Sequence, residues 1–159
     1  LVLDHLLPGR NLYLIATGTG LAPFMSIIQD PELYERFDKI VLTHGVRFTS
    51  ELAYQQFITN DLQTNEFFGD QVTQKLRYYP TVTREKYTNN GRLTDLMTSG
   101  KLFLDLGMPH PTVAEDRFMV CGGPSMLKEI CDILDDRGFS ESRQGTKAHY
   151  VIERAFVEQ

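Results

Sequence analysis

Five short, apolar, β-prone runs separated by helical patterns dominate this chain, and that alternation restricts it to a parallel sheet whose crossovers are helices. The runs are Asn11–Ala16, Lys39–Val46, Leu76–Val82, Asp116–Cys121 and Tyr150–Phe156. Turn residues bound them, as expected for strands buried on both faces. After the first run, Pro23 suits the first turn of a helix whose buried stripe is Phe24, Ile27 and Ile28, and Asp30-Pro31 stops it. Thr49 or Ser50, with Glu51 behind, predicts the cap of a second helix running to about Leu62. A short helix over Leu93–Ser99 is closed by Gly100. The clearest helix is Pro124–Arg137, with Met126, Leu127, Ile130, Ile133 and Leu134 three or four apart and Gly138 just past its end. Lys101–Glu115, carrying Pro109 and Pro111, reads as the longest irregular connection. In the last strand, alternation puts Tyr150, Ile152 and Arg154 on one face and Val151, Glu153 and Ala155 on the other. The expected fold is α/β, a five-stranded parallel sheet with helices on both faces.

A chain of 159 residues, 42% of them hydrophobic, can bury roughly 70% of the surface its unfolded form exposes. One domain without disulfide or metal staples is therefore expected. Sixteen Lys and Arg against twenty-one Asp and Glu give a net charge of -5, which argues against coating nucleic acid but leaves room for a local basic pocket. Cys121 and Cys131 form no CxxC pair, and His5, His44, His110 and His149 are scattered, so no metal site is expected. The cysteines read as reduced thiols of a cytoplasmic protein. No apolar run approaches the ~20 residues of a membrane span. Leu1 is not an initiator and nothing at the start resembles a signal peptide. The chain reads as the back part of a longer protein.

In open parallel sheets, ligands bind beyond the carboxyl ends of the strands, where strand order reverses. Two glycine clusters occupy such ends: Thr17-Gly18-Thr19-Gly20-Leu21-Ala22-Pro23 after the first strand and Cys121-Gly122-Gly123-Pro124 after the fourth. Neither is a Rossmann GxGxxG or a P-loop, and a Gly-Thr-Gly turn alone serves chain geometry as well as it serves a ligand. If the first and fourth strands are neighbours, however, the two loops wall one cleft suited to a dinucleotide. An NAD site would favour an acid at the end of the second strand; here stands His44-Gly45-Val46-Arg47. After the third strand, Thr83 to Arg92 carries three cations and one anion. Any one of these arginines alone reads as a solvated surface charge. Arg47, Arg84 and Arg92 together, all following strand ends on one rim, suit the 2'-phosphate of NADP. Lys86 is left to solvent.

In this order, Ala16-Thr-Gly-Thr-Gly-Leu-Ala-Pro-Phe24, His44-Gly-Val-Arg47, Thr83-Arg84-Glu85, Asn90-Gly-Arg92-Leu-Thr-Asp95 and Cys121-Gly-Gly-Pro-Ser-Met126 resemble the ferredoxin-NADP reductase family. The ending Tyr150-Val-Ile-Glu-Arg-Ala-Phe-Val-Glu158 is similar to its bacterial ferredoxin/flavodoxin-NADP reductase branch. The resemblance implies a C-terminal NADP-binding domain. Thr17, Gly18, Thr19, Gly20, Ala22 and Pro23, with Gly122, Gly123 and Met126, would surround the pyrophosphate and nicotinamide, and the three arginines would take the 2'-phosphate. Cys121 would line the nicotinamide pocket, and Ala155 and Phe156 would lie against a flavin. It implies a missing part too, an N-terminal barrel that holds FAD through an Arg-x-Tyr-Ser motif. Arg77-Tyr78-Tyr79-Pro80 matches only the start of that motif. Where plant-type reductases place a Glu, six residues after the motif Cys, this chain has Leu127, so no acid is assigned. The implied activity is hydride exchange between NADPH and FAD, with electrons passed to or from ferredoxin or flavodoxin, and the chain alone is expected to be inactive. Competing readings are the reductase component of an oxygenase or a flavohaemoglobin-like protein, and a non-catalytic nucleotide-sensing domain.

Overall fold

The structure is a computed structural model and describes residues 1–155. Side chains alternate across each strand, so a strand apolar at every position must be covered on both sides. Two such strands form the centre: β1 (Asn11–Thr17) and β4 (Asp116–Gly122), buried along nearly all their length. With β2 (Lys39–Val46), β3 (Leu76–Val82) and β5 (Tyr150–Arg154) they make one parallel sheet of order β3-β2-β1-β4-β5.

Leu12, Leu14 and Ala16 point to one face, into a core with α1 (Ala22–Ile27), α2 (Pro31–Arg36) and α3 (Gly69–Lys75). Tyr13 and Ile15 point to the other, against α4 (Leu93–Ser99), α5 (Lys101–Leu106) and α6 (Pro124–Asp136). There Tyr13 stacks on Phe118 at 4.9 Å between centroids and meets Phe103 edge-on at 5.7 Å, the two geometries the ring quadrupole favours. Helices cover both faces, and the chain changes face after β3. Tyr150 and Ile152 of β5 pack on the second face, Val151 and Ala155 on the first, as alternation requires.

Four segments depart from the sequence reading. The helix expected from Thr49 to Leu62 is broken into a 3-10 turn (Thr49–Glu51), a wide π-type turn (Phe57–Asp61) and another 3-10 turn (Leu62–Thr64). The N-cap is Phe48 and not Thr49 or Ser50, which lie inside the turn; the Phe48 N–H donates to the Glu51 carboxylate at 3.0 Å, and Tyr54 at φ 66° interrupts the coil beyond it. The Asp30-Pro31 stop is also a start: the Asp30 carboxylate accepts the Glu32 N–H at 3.0 Å and opens α2. Lys101–Glu115 is not wholly irregular, since Gly100 at φ 81° ends α4 and turns the chain into α5, which buries Leu102 and Phe103. The short α3 has no counterpart in the sequence reading. The last strand ends at Arg154; Phe156 lies outside the described residues.

Candidate functional site

β1 and β4 run side by side with Ala16 opposite Cys121, yet the chain leaves β1 toward the first face and β4 toward the second. A crevice must open where these exits diverge. The two glycine loops meet at its floor. A Cβ on Gly20 would strike the Cys121 carbonyl, and one on Gly122 would come within 2.6 Å of Thr17 Oγ1 and 2.8 Å of Met126 Sδ. Gly20 admits no side chain because the Cys121 backbone passes too close, whereas at Gly122 it is the Thr17 and Met126 side chains that fill the space.

Above the floor opens a cavity of about 830 Å³, within the range of small-molecule and cofactor sites. Thr17, Gly18 and Thr19 supply one wall, Gly45 to Arg47 the next, and Thr83, Arg84, Gly91 to Asp95 and Met126 the rest. The arginines come together because the loop after β3 is tied shut. Asn90 Nδ2 donates to the Val82 and Glu85 carbonyls at 2.9 and 2.8 Å, and Thr81 Oγ1 donates to the Gly91 carbonyl at 2.8 Å. The Arg84 N–H donates to the Arg47 carbonyl at 2.9 Å, and the Thr49 N–H to the Glu85 carboxylate. Arg84 and Arg92 therefore share the rim with Arg47.

Two of the three guanidinium groups are already engaged. Arg47 lies 3.4 Å from Glu51, and Arg92 lies 2.8 Å from Glu129. Arg84 forms no ion pair among the described residues. Slight burial acts upward on the Glu51 carboxyl, but the Phe48 N–H and the Arg47 guanidinium outweigh it and hold the carboxyl below its usual range.

The remaining expected site residues lie behind or beside the cavity. Gly20 and Gly122 are buried in the loop contact, Pro23 starts α1, and Gly123 caps α6 with open space around it. Ala22 borders a smaller hollow of about 340 Å³ on the other side of Gly18 and Thr19, with His44, Leu21 and Tyr54. Cys121 does not line the cavity. Its place in the strand sends the thiol into the first-face core, where burial and the nearby Glu153 charge push its pKa up to about 11. Ala155 is half-buried and its N–H donates to the Gly122 carbonyl at 3.0 Å, which sets it beside the second glycine loop. Sequence reasoning gave no site role to Glu51, Glu129, His44 and Asn90, although His44 and Asn90 stand in motifs it singled out and Glu51 lies four positions from Arg47.

Among the described residues no group of His, Cys, Asp and Glu is placed to hold a metal ion, and no helix is long and apolar enough to cross a membrane.

Residues 14–132 match the model of the oxidoreductase NAD-binding domain family. Over its whole length the chain is 62% identical to the ferredoxin-NADP reductase of Azotobacter vinelandii and 59% identical to that of Pseudomonas aeruginosa, covering 62% of each. The chain thus spans about three-fifths of these curated relatives. A solved ferredoxin NADP+ reductase from Neisseria gonorrhoeae, with bound FAD and NADP, superimposes with a TM-score of 0.84 at 28% identity, over 98% of this chain and 60% of that one.

Proposed function

Because the chain belongs to the oxidoreductase NAD-binding domain family, we propose that it is the NADP(H)-binding part of a reductase that exchanges hydride between NADPH and FAD and electrons with ferredoxin or flavodoxin. The observation that carries this reading is the convergence of Arg47, Arg84 and Arg92 on one rim of a cavity at the β1/β4 switch point. The cavity fits a dinucleotide: Gly18 in its wall carries no side chain and has open space before it, so backbone can approach a ligand closely, and its rim offers planar guanidinium forks that match phosphate oxygens.

In this reading Gly18 and Thr19 face the pyrophosphate, and the arginines take the 2'-phosphate that distinguishes NADPH from NADH. Arg84 is ready for it, whereas Arg47 and Arg92 exchange Glu51 and Glu129 for phosphate oxygens. Thr17, Gly122 and Met126 close the end nearest β4, where the nicotinamide would be oriented. FAD, when bound, supplies the redox chemistry; it is assigned to a further part of the protein, with Ala155 and Phe156 beside it. Cys121, protonated and in the core, orients nothing by charge. The relatives' names support ferredoxin or flavodoxin as electron partner, and two unpaired cysteines suit a cytoplasmic location.

The test is a calorimetric titration of NADPH and NADH into the chain and into Arg47→Ala and Arg84→Ala, singly and together. Hydrogen bonds to charged groups contribute about 1.5–3 kcal/mol each, so the double variant should bind NADPH roughly 100-fold or more weakly and NADH nearly as before. Equal losses for both nucleotides would remove the 2'-phosphate assignment.

A further inference from the structure

His44 is an odd residue to find in the middle of an apolar parallel strand. It lies in β2 opposite Ala16 of β1 and is 1% exposed. A buried imidazole needs a partner, and Nε2 has one: the Gly18 carbonyl at 2.8 Å. A carbonyl only accepts, so Nε2 carries the proton. Nδ1 is buried without a partner among the described residues. Burial lowers the pKa of the ring against the opposing pull of Gly18 and Glu51, which leaves it neutral.

Gly18 stands in the left-handed region at φ 52°, and a Cβ there would find no heavy atom within 4 Å. The far end of this 3-10 turn (Gly18–Leu21) is held by Leu21, buried in the first-face core, but nothing packs where a Gly18 side chain would lie. The large cavity lies on one side of Gly18 and Thr19 and the smaller hollow on the other. The turn is anchored further along, where Gly20 presses on the Cys121 carbonyl, and at Gly18 by the imidazole.

We propose that His44 is a positioning residue: by donating from Nε2 to the Gly18 carbonyl across the β1–β2 pair, it fixes the turn on which the pyrophosphate of the dinucleotide rests. The proposal rests on the nucleotide reading of the cavity. NADPH and NADH share the pyrophosphate, so loss of the tether weakens both alike, whereas loss of a rim arginine changes their ratio.

The experiment titrates NADPH and NADH into the chain and into His44→Leu, His44→Gln, His44→Asn and Arg84→Ala, with a thermal melt of each. A Gln amide reaches roughly where Nε2 lies and an Asn amide roughly where Nδ1 lies. His44→Leu should weaken both nucleotides about fivefold to tenfold, the worth of one ordinary hydrogen bond, and leave their ratio unchanged. His44→Gln should stay within about twofold of the parent and His44→Asn should follow Leu. The melting temperature of His44→Leu should move little, because the substitution also removes the unpartnered Nδ1. If His44→Leu does not fold, His44→Asn against His44→Gln makes the same comparison. Parent-like affinity in both His44→Leu and His44→Asn, a loss shared equally by His44→Gln, or a loss confined to NADPH would each overturn the proposal. Arg84→Ala separates the two levels. If it weakens NADPH while His44→Leu does not, the tether alone fails. If Arg84→Ala also leaves NADPH binding intact, the nucleotide reading fails with it.

Discussion

One substitution, Gly→Ala, placed at three positions of the glycine loops meets three different physical situations. At Gly20 the new methyl runs into the Cys121 carbonyl, and backbone cannot rotate aside as a side chain can. Overpacking of this kind costs about 1–3 kcal/mol, with the upper end expected against backbone. At Gly18 space is open but φ is 52°, so alanine pays about 1–2 kcal/mol for the left-handed conformation, less about 0.4–1 kcal/mol regained because alanine restricts the unfolded chain. At Gly123 the backbone is extended, φ -70° and ψ 165°, and nothing lies within 4 Å of a Cβ, so only the gain remains. With roughly 2–4 °C per kcal/mol for a domain of this size, Gly20→Ala should melt about 6–12 °C lower. Gly18→Ala should melt a few degrees lower, and Gly123→Ala should match or slightly exceed the parent. Thermal melts followed by circular dichroism, with urea midpoints as a check, give the order. A Gly123→Ala variant as unstable as Gly20→Ala, or a silent Gly20→Ala, would refute the claim that the loops touch at Gly20.

Glu129→Gln frees Arg92 from an exposed ion pair worth about 0–1 kcal/mol and should strengthen NADPH binding up to about fivefold at low salt, with no gain for NADH; weaker NADPH binding would mean that Glu129 holds Arg92 in its binding pose. The purified chain should take up NADPH but show no visible flavin absorbance after incubation with FAD, and a stoichiometric yellow complex would place a flavin site on these residues. Burial and the Glu153 charge push the Cys121 thiol up to about 11 in the folded chain against the 9.0 of an exposed thiol, so the folded state retains the proton longer. That stabilisation is complete below about pH 9 and is lost as pH rises toward 11. Cys121→Val should make the fall of the urea midpoint over that range shallower, and an unchanged slope would remove the thiol from the linkage.

The sheet could be read from the sequence because its strands carry their own signal: Leu12 to Ala16 and Phe118 to Cys121 are apolar at each step, which only a doubly covered strand tolerates. The switch point followed from two glycine loops at two such strand ends; contact between the loops accounts for Gly20 and Gly122, the left-handed backbone accounts for Gly18, and no contact explains Gly123. What escaped was set by tertiary contact. In α3 only Gly69 and Val72 are buried, so no periodic stripe exists to detect. The cap is local but falls on Phe48, one residue before the expected Thr49 or Ser50, and Tyr54 at φ 66° ends the coil. Within the site, the arginines were legible as cations after strand ends. Glu129, 37 positions from Arg92, becomes its partner only once α6 packs beside α4. His44 meets Gly18 because the parallel register sets it opposite Ala16, and no spacing rule anticipates that.

The paired carboxylates also reconcile a chain of net charge -5 with an anionic ligand. Among the described groups at and beside the rim, Arg47, Arg84, Arg92 and Lys86 stand with Glu51, Glu85, Asp95 and Glu129, so the patch carries no net positive charge by formal count and projects little long-range attraction. Beyond about 10 Å, salt would screen most of what remained. Recognition then depends on contact rather than on field. A 2'-phosphate brings close to two negative charges and three acceptor oxygens to guanidinium forks that each face a single carboxylate or none. The exposed pairs it displaces are individually weak, while each charge-assisted hydrogen bond it forms is stronger than an ordinary one. NADH, with one hydroxyl in place of that phosphate, cannot displace Glu51 or Glu129 and leaves the rim as it stands. In the proposed reading the carboxylates thus lower NADPH affinity slightly and leave NADH untouched, because only the phosphate has to compete for the arginines they hold, and the contrast between the two is what remains after that competition.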